Sequence, residues 1–94
     1  MPEYCIMPRS YLYETERRPG LERHEVFFGR GRRGKSIELG LVIFIPPERH
    51  RGRMGVHHNR ALDLKIKQIG QQAAMDRYGW TTEEFVAEFG RNYL

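Results

Sequence analysis

The order of three segments most constrains the fold of this chain: two short apolar segments precede one long segment with helical periodicity. Residues 21–28 are rich in β-branched and aromatic side chains, and residues 41–45 form an apolar run that ends at two prolines. Both patterns are typical of β-strands. A helix is then expected from Asn59, as its N-cap, to about Tyr78, before Gly79. The sequence therefore predicts an α+β fold in which a β-hairpin packs on a long helix.

The flanking segments carry weaker local patterns. Residues 10–13 suggest a short strand, and residues 29–35 a glycine-rich basic loop, followed by at most one helical turn (residues 36–39) capped by Ser36. Thr81 and Glu84 form a capping box that predicts a second helix. The residues expected to face the core are Leu62, Ile66, Ile69 and Ala73 in the long helix and Phe85, Val86 and Phe89 in the second.

Composition limits the kinds of function. A chain of 94 residues makes one domain that buries only about two thirds of its unfolded surface, so an active site is expected to be a shallow groove. The 16 lysines and arginines against 12 acidic residues favour a polyanionic partner. Cys5 is the single cysteine, which excludes an intrachain disulfide and a cysteine-based zinc site and indicates a reducing, cytoplasmic setting. No apolar stretch approaches the ~20 residues of a membrane span.

Three of the four histidines stand at the ends of consecutive predicted elements. His24 lies in the first strand, His50 follows the second, and His57 precedes the long helix. Neutral imidazole is a good ligand for borderline divalent metals. We therefore predict that His24, His50 and His57 bind one metal ion, whereas His58 faces outward.

The basic loop predicts contact with a phosphate backbone. Its four cations, interleaved with glycines, are Arg30, Arg32, Arg33 and Lys35. Guanidinium groups donate paired hydrogen bonds to phosphate, and such contacts carry no base-specific information. Arg49, Arg51 and Arg53 would extend the same positive face. The alternative is a charged loop that only keeps the protein soluble.

The motifs from Leu21 onward resemble, in their joint order, small phage-type HNH nucleases with a ββα-metal core. The matching pieces are residues 24–29, 33–37, 40–42, 47–50, 55–59, 62–65 and 83–94, and the resemblance covers about three quarters of the chain. Two departures stand out. Many relatives hold a structural zinc with two Cys-x-x-Cys pairs, but the corresponding positions here are Ser10, Tyr13, Pro46 and Arg49. The middle Asn of the family signature is also absent before Leu41, where Gly40 stands.

The resemblance implies hydrolysis of a DNA phosphodiester with one divalent ion (Mg, Mn, Ni or Zn) and no structural zinc. It assigns His24, His50 and His57 to the metal and the pair His24–Glu25 to catalysis, in one of two registers. Either His24 is a ligand and Glu25 the general base, or His24 is the base and Arg23 occupies the ligand position. Residues 1–94 then form a single HNH-like domain, with residues 1–20 as an N-terminal extension, 21–79 as the ββα core and 80–94 as a C-terminal helix.

Three hypotheses for the function remain open at this stage. The first is a metal-dependent DNA endonuclease or nickase of phage or prophage type. The second is a catalytically inactive HNH-like scaffold that binds DNA, or a phage or host nucleoprotein partner, for example as a phage-encoded inhibitor. The third is a basic structural domain without a site, which the three histidines argue against.

Overall fold

The protein is described by a computed structural model for residues 4–52 and 55–94. Its elements are β1 Glu22–Glu25, α1 Arg32–Leu39, β2 Val42–Ile45, α2 Pro47–His50, α3 Arg60–Tyr78 and α4 Thr82–Phe89. The Cα radius of gyration is 12.6 Å, close to the ~12 Å expected for a compact chain of this length. The predicted α+β class is confirmed: the protein is small and compact, with an antiparallel hairpin and several helices.

The hairpin pairs β1 with β2 so that His24 lies opposite Ile43. All four residues of β2 are buried. Side chains of a strand alternate between its two faces, so Glu22 and His24 share one face of β1 and Arg23 and Glu25 the other.

Both strands are shorter than the apolar segments that predicted them. After β1 the chain leaves the sheet, and Val26 and Phe27 become fully buried. Val26 still donates a backbone hydrogen bond to the Leu41 carbonyl, at 2.9 Å. The apolar residues that suggested a strand up to Phe28 thus serve the core beyond the sheet.

Residues 29–35 were predicted to form a loop, and this is wrong beyond Gly31, because α1 begins at Arg32. Ser36 is not a cap. It lies within α1, fully buried, and its hydroxyl donates to the Phe27 carbonyl at 2.7 Å and accepts from the Phe27 amide at 3.1 Å. The helix lies between Gly31 and Gly40, whose φ angles of 77° and 78° favour glycine. The basic residues from Arg32 onward therefore project from a helix.

The N-terminal segment contains a turn where a strand was predicted. Ser10 and Tyr13 form an isolated bridge, and Glu14 bridges to Phe44 on the free edge of β2. Tyr13 is buried and donates its hydroxyl to the Pro8 carbonyl. Tyr11, in contrast, is 84% exposed, so of these two tyrosines only Tyr13 packs at this edge.

The ends of α3 are those predicted from the sequence. The Asn59 side chain accepts a hydrogen bond from the Leu62 amide at 3.1 Å, and Gly79 ends the helix with a φ of 68°. The predicted apolar stripe is displaced, however: the buried residues are Ile66, Gly70, Gln71 and Ala74.

Gly70 explains why the stripe is displaced. A Cβ at this position would lie 2.9 Å from the Val26 Cγ1 and 3.2 Å from the Phe27 Cε2. The absence of a side chain lets α3 approach this segment closely. Burial of Gln71 has a separate cause, because its amide accepts from the Tyr93 backbone at 2.7 Å and donates to Asn92 Oδ1 at 2.8 Å.

The capping box at the start of α4 is confirmed, with both reciprocal hydrogen bonds of Thr81 and Glu84 present. Phe85 and Phe89 are buried as predicted, while Val86 is only half-buried. The predicted helix of residues 80–94 is shorter in the structure, because Gly90 ends it in the left-handed conformation and residues 91–94 are not helical. Among the helices described in 4–52 and 55–94, none combines the length and apolar character needed to cross a membrane.

Candidate metal centre

The structure brings the three predicted histidines together. His24 comes from β1, His50 is the last residue of α2, and His57 lies in the turn before α3. One potential ligand atom from each lies within 4.8 Å of the others, and the ring centroids are 4.9–5.1 Å apart. His58 is exposed, as predicted.

A short helix and two glycines place His50 beside His57. The chain after Pro46 forms α2, which has Pro47 at its first turn. The Val56 amide donates to the Arg49 carbonyl at 2.7 Å, which returns the chain to α2. A Cβ at Gly55 would collide with the same carbonyl, and one at Gly52 with that of Glu48. Glycine at both positions therefore permits the close return that brings His57 to the site.

His24 provides the clearest evidence that this cluster could hold a ligand. It is 2% exposed, and its Nε2 has no hydrogen-bond partner in the part of the chain that the structure describes. An unpaired buried polar atom costs about 1–3 kcal/mol. A cation bound between the three rings would satisfy this lone pair, so the residues present fit a metal ion.

The electrostatics keep two of the rings uncharged. Burial lowers the pKa of His24 to about 3, assisted by the neighbouring His50 and His57 and by the charges of Lys67 and Arg33. Burial also lowers the pKa of His57, with a further contribution from His50. Neutral imidazole is the form that binds metals. His24 and His57 are therefore held in the ligand form at neutral pH.

His50 is oriented by a carboxylate that the sequence analysis did not identify. Its Nδ1 lies 2.9 Å from Glu22 Oε1, and Arg51 donates to both oxygens of Glu22, at 3.1 Å and 2.6 Å. The pKa of Glu22 is lowered, first by the hydrogen bond from His50 and then by Arg51. Metal-binding histidines commonly donate their second ring N–H to a carboxylate. This contact leaves the Nε2 of His50 for the metal.

A sequence pattern existed that could have indicated Glu22. It stands two residues before His24 in a predicted strand, so the two side chains share a face. What the sequence did not contain was the position of His50 over that face.

Phe28 and Lys67 form one wall of the site. The Phe28 ring lies 5.7 Å from that of His24 and 5.0 Å from that of His57. The Lys67 ammonium lies 4.2 Å above Phe28 and 2.9 Å from the carboxylate of Asp63. This wall excludes water from one side of the histidines, which contributes to the burial that lowers the pKa of His24.

The other side opens into a small pocket of about 180 Å³, lined by Arg23, His24, Glu25, Phe28, Arg33, His50, Arg51 and His57. Three protein ligands with an open position are typical of catalytic metal sites, whereas structural sites are usually closed by four protein ligands. Polar groups of a substrate can therefore approach the histidines from solvent.

The predicted catalytic carboxylate reaches the pocket in an ion pair. Glu25 lines the pocket, and its Oε2 lies 3.5 Å from the Nε of Arg23. These two residues occupy the face of β1 opposite His24. Either a rotation of Glu25 or an approaching phosphate that attracts Arg23 would be needed to free the carboxylate.

The four predicted DNA-binding cations do not lie together. Arg33 lines the pocket, whereas Lys35 donates to the Glu88 carbonyl and carboxylate, at 2.9 Å and 3.0 Å. Arg32 lies against Gly90 at the end of α4, since a Cβ built there would be 2.7 Å from its Nη2. Arg30 is exposed ahead of α1. Of the three arginines expected to extend this surface, Arg53 lies outside the described residues.

Comparison with known proteins gave no relatives: no family model, no curated protein and no solved structure matches this chain. The function is therefore inferred from the site formed by the three histidines.

Proposed function

We propose that the protein is a metal-dependent DNA endonuclease or nickase of HNH type that hydrolyses phosphodiester bonds. The observation that carries the proposal is the convergence of His24, His50 and His57 around the unpaired Nε2 of His24. The motif order of the sequence supports the choice of nuclease among metal enzymes. The basic surplus of the chain, +4 at neutral pH, supports a polyanionic substrate.

The donor set favours some metals over others. Imidazole nitrogens suit zinc and nickel, whereas magnesium prefers oxygen ligands. Of the four candidate metals, we expect zinc and nickel to bind most tightly. The bound ion would act as a Lewis acid on the scissile phosphate and its leaving oxygen.

The protein's own residues would supply the remaining functions. His24, His50 and His57 hold the ion, and Glu22 orients His50. Glu25 accepts the proton of the attacking water once it leaves Arg23. In the other register His24 would be the base, but this leaves only His50 and His57 as imidazole ligands. Burial also makes His24 a weak base, because its pKa is about 3. These two points support Glu25 as the base.

A plasmid-nicking assay tests the proposal. Supercoiled DNA is incubated with the protein and Mg²⁺, Mn²⁺, Ni²⁺ or Zn²⁺, and conversion to the open circular form is followed on a gel. We expect nicking that EDTA abolishes, that His57→Ala abolishes, and that the matched control His58→Ala retains. Metal binding by the parent without nicking under all four metals would reject the nuclease activity.

The base is tested separately. Glu25→Gln keeps the size of the side chain but accepts no proton at neutral pH. We expect it to bind metal and DNA and to lose about 10²–10⁴ in rate, the usual contribution of a general base. Parental activity in this variant would assign the proton transfer to another group, with His24 the first candidate.

The ion pair between Glu25 and Arg23, at 3.5 Å, favours a second candidate function. A carboxylate that stays bound to arginine takes no proton from water, and the protein would then bind DNA or a nucleoprotein partner without cleaving it. DNA binding without nicking in the assay above would support this inactive scaffold.

A further inference from the structure

We propose that Arg33 forms an oxyanion subsite at the mouth of the histidine pocket, where it binds a phosphate oxygen of the substrate beside the metal. This inference rests on the proposed function and deepens it: it assigns recognition of the reacting phosphate to one side chain, where the sequence analysis distributed it over four.

Arg33 is positioned to contact a ligand in the histidine pocket. Arg33 is the residue of α1 that lines the pocket. His24, His50 and His57 line the same pocket, so the Arg33 side chain and the three rings border one space. A ligand that bridges the metal and this guanidinium would fit within the pocket, whose volume is about 180 Å³.

Arg33 is also more available to an anion than the other arginines of the pocket. Arg51 and Arg23 also line the pocket, but each is paired with a carboxylate, at 2.6 Å and 3.5 Å respectively. Within residues 4–52 and 55–94, Arg33 has no carboxylate at ion-pair distance and is exposed. It can therefore bind an anion without first breaking an ion pair.

The neighbouring cations of α1 differ from Arg33 in their contacts. Arg32 and Lys35 are three residues apart and so share one side of the helix. Both are directed to the C-terminal end of α4, Lys35 through Glu88 and Arg32 beside Gly90. Cations are stabilising at the C-terminus of a helix. These two charges are thus engaged in the fold, and Arg33 remains for a ligand.

The ligand class follows from the chemistry of the two binding groups. A guanidinium presents several N–H donors in one plane and matches the oxygens of phosphate or carboxylate. A tetrahedral phosphate can place one oxygen on the metal and a second on Arg33. The shared chemistry is that of a phosphate oxyanion, whether inorganic or within a nucleic acid backbone.

The test uses cobalt as the metal and inorganic phosphate as the probe. Co²⁺ is bound to the full-length protein and phosphate is titrated while the visible absorption of the ion is recorded. We expect Arg33→Ala to weaken phosphate binding about 10- to 100-fold, the range for loss of a charge-assisted hydrogen bond, and Arg33→Lys to weaken it less. Arg32→Ala is the matched control and should keep the parental affinity. The melting midpoint of each variant reports whether the fold is preserved.

Two negative outcomes are distinguishable. If Co²⁺ binds and phosphate affinity is the same in the parent and Arg33→Ala, or falls equally in Arg32→Ala, the subsite is refuted while the metal centre stands. If no cobalt spectrum develops before phosphate is added, the metal centre itself is refuted, and the subsite with it. Comparison with a short DNA duplex then identifies the source: a further Arg33-dependent gain over inorganic phosphate assigns the subsite to the nucleic acid backbone.

Discussion

Replacement of Glu22 tests whether His50 is a metal ligand. The carboxylate lies 2.9 Å from the Nδ1 of His50, which leaves Nε2 as the ring atom that a metal could bind. Loss of such a partner commonly weakens metal affinity 10–100-fold, which corresponds to about 1.4–2.7 kcal/mol. Glu22→Gln keeps an oxygen that can accept from Nδ1 but removes the charge, so we expect it near the lower value. Glu22→Ala removes both, and we expect it near the upper value.

The assay is competition for zinc or nickel against a chelator of known affinity, with the melting midpoint of the metal-free protein recorded in parallel. Glu22 also pairs with Arg51 at 2.6 Å, but exposed ion pairs of this kind contribute little to stability. The metal-free fold should therefore survive. The matched control is Glu48→Gln, which changes an exposed carboxylate on α2, the short helix that ends at His50. Unchanged metal affinity in a folded Glu22→Ala protein would refute the assignment of His50.

Three further predictions concern packing, charge and DNA binding. Gly70→Ala forces a Cβ into Val26 and should lower the free energy of unfolding by about 1–3 kcal/mol through overpacking. Gly34→Ala, which has open space around it in α1, should raise the free energy of unfolding by up to about 1 kcal/mol. Urea unfolding measures both variants, and equal effects would contradict the close approach of α3. Because burial holds the pKa of His24 at about 3, its ring should stay neutral by NMR down to pH 4.5. In the unfolded chain the His24 ring takes up a proton near pH 6.5. The free energy of unfolding should therefore fall by about 1.4 kcal/mol for each pH unit below 6.5 because of this residue. A ring that protonates near pH 6 in the folded protein would exclude its deep burial. For duplex DNA, Arg33→Ala should reduce the slope of log K against log salt by about 0.9 and Arg32→Ala by much less; equal reductions would mean that both arginines contact phosphate.

Both ends of α3 and the start of α4 were predictable because their determinants are local. Asn59 and the pair Thr81–Glu84 satisfy backbone amides within three residues of themselves, and Gly79 adopts the left-handed conformation that ends α3. Such interactions depend little on the rest of the fold.

The burial of side chains and their tertiary contacts were not predictable in the same way. The sequence predicts Ser36 as a helix cap, yet its hydroxyl satisfies the Phe27 backbone, and the sequence does not distinguish these two uses of a serine. Gly70 lies where α3 approaches Val26 closely, a contact that the sequence of α3 does not indicate. Both depend on the path of residues 26–28 after β1, which no local pattern determines.

The candidate site shows the same division. His24, His50 and His57 were chosen because they stand at the ends of consecutive elements, and they do meet. The roles that we propose for Glu22 and Arg33 depend on tertiary contacts. Spacing along the chain therefore indicated the three candidate ligands, whereas the residues beside them emerge only from the folded structure.

X-ray absorption spectroscopy of the zinc-loaded protein tests directly whether the three histidines bind one metal ion. We expect one zinc per chain with three imidazole nitrogens at about 2.0–2.1 Å, and the loss of one of them, with a large loss of affinity, in His57→Ala. A first shell that contains sulfur from Cys5 or only oxygen, or a His57→Ala protein that binds zinc as the parent does, would contradict it.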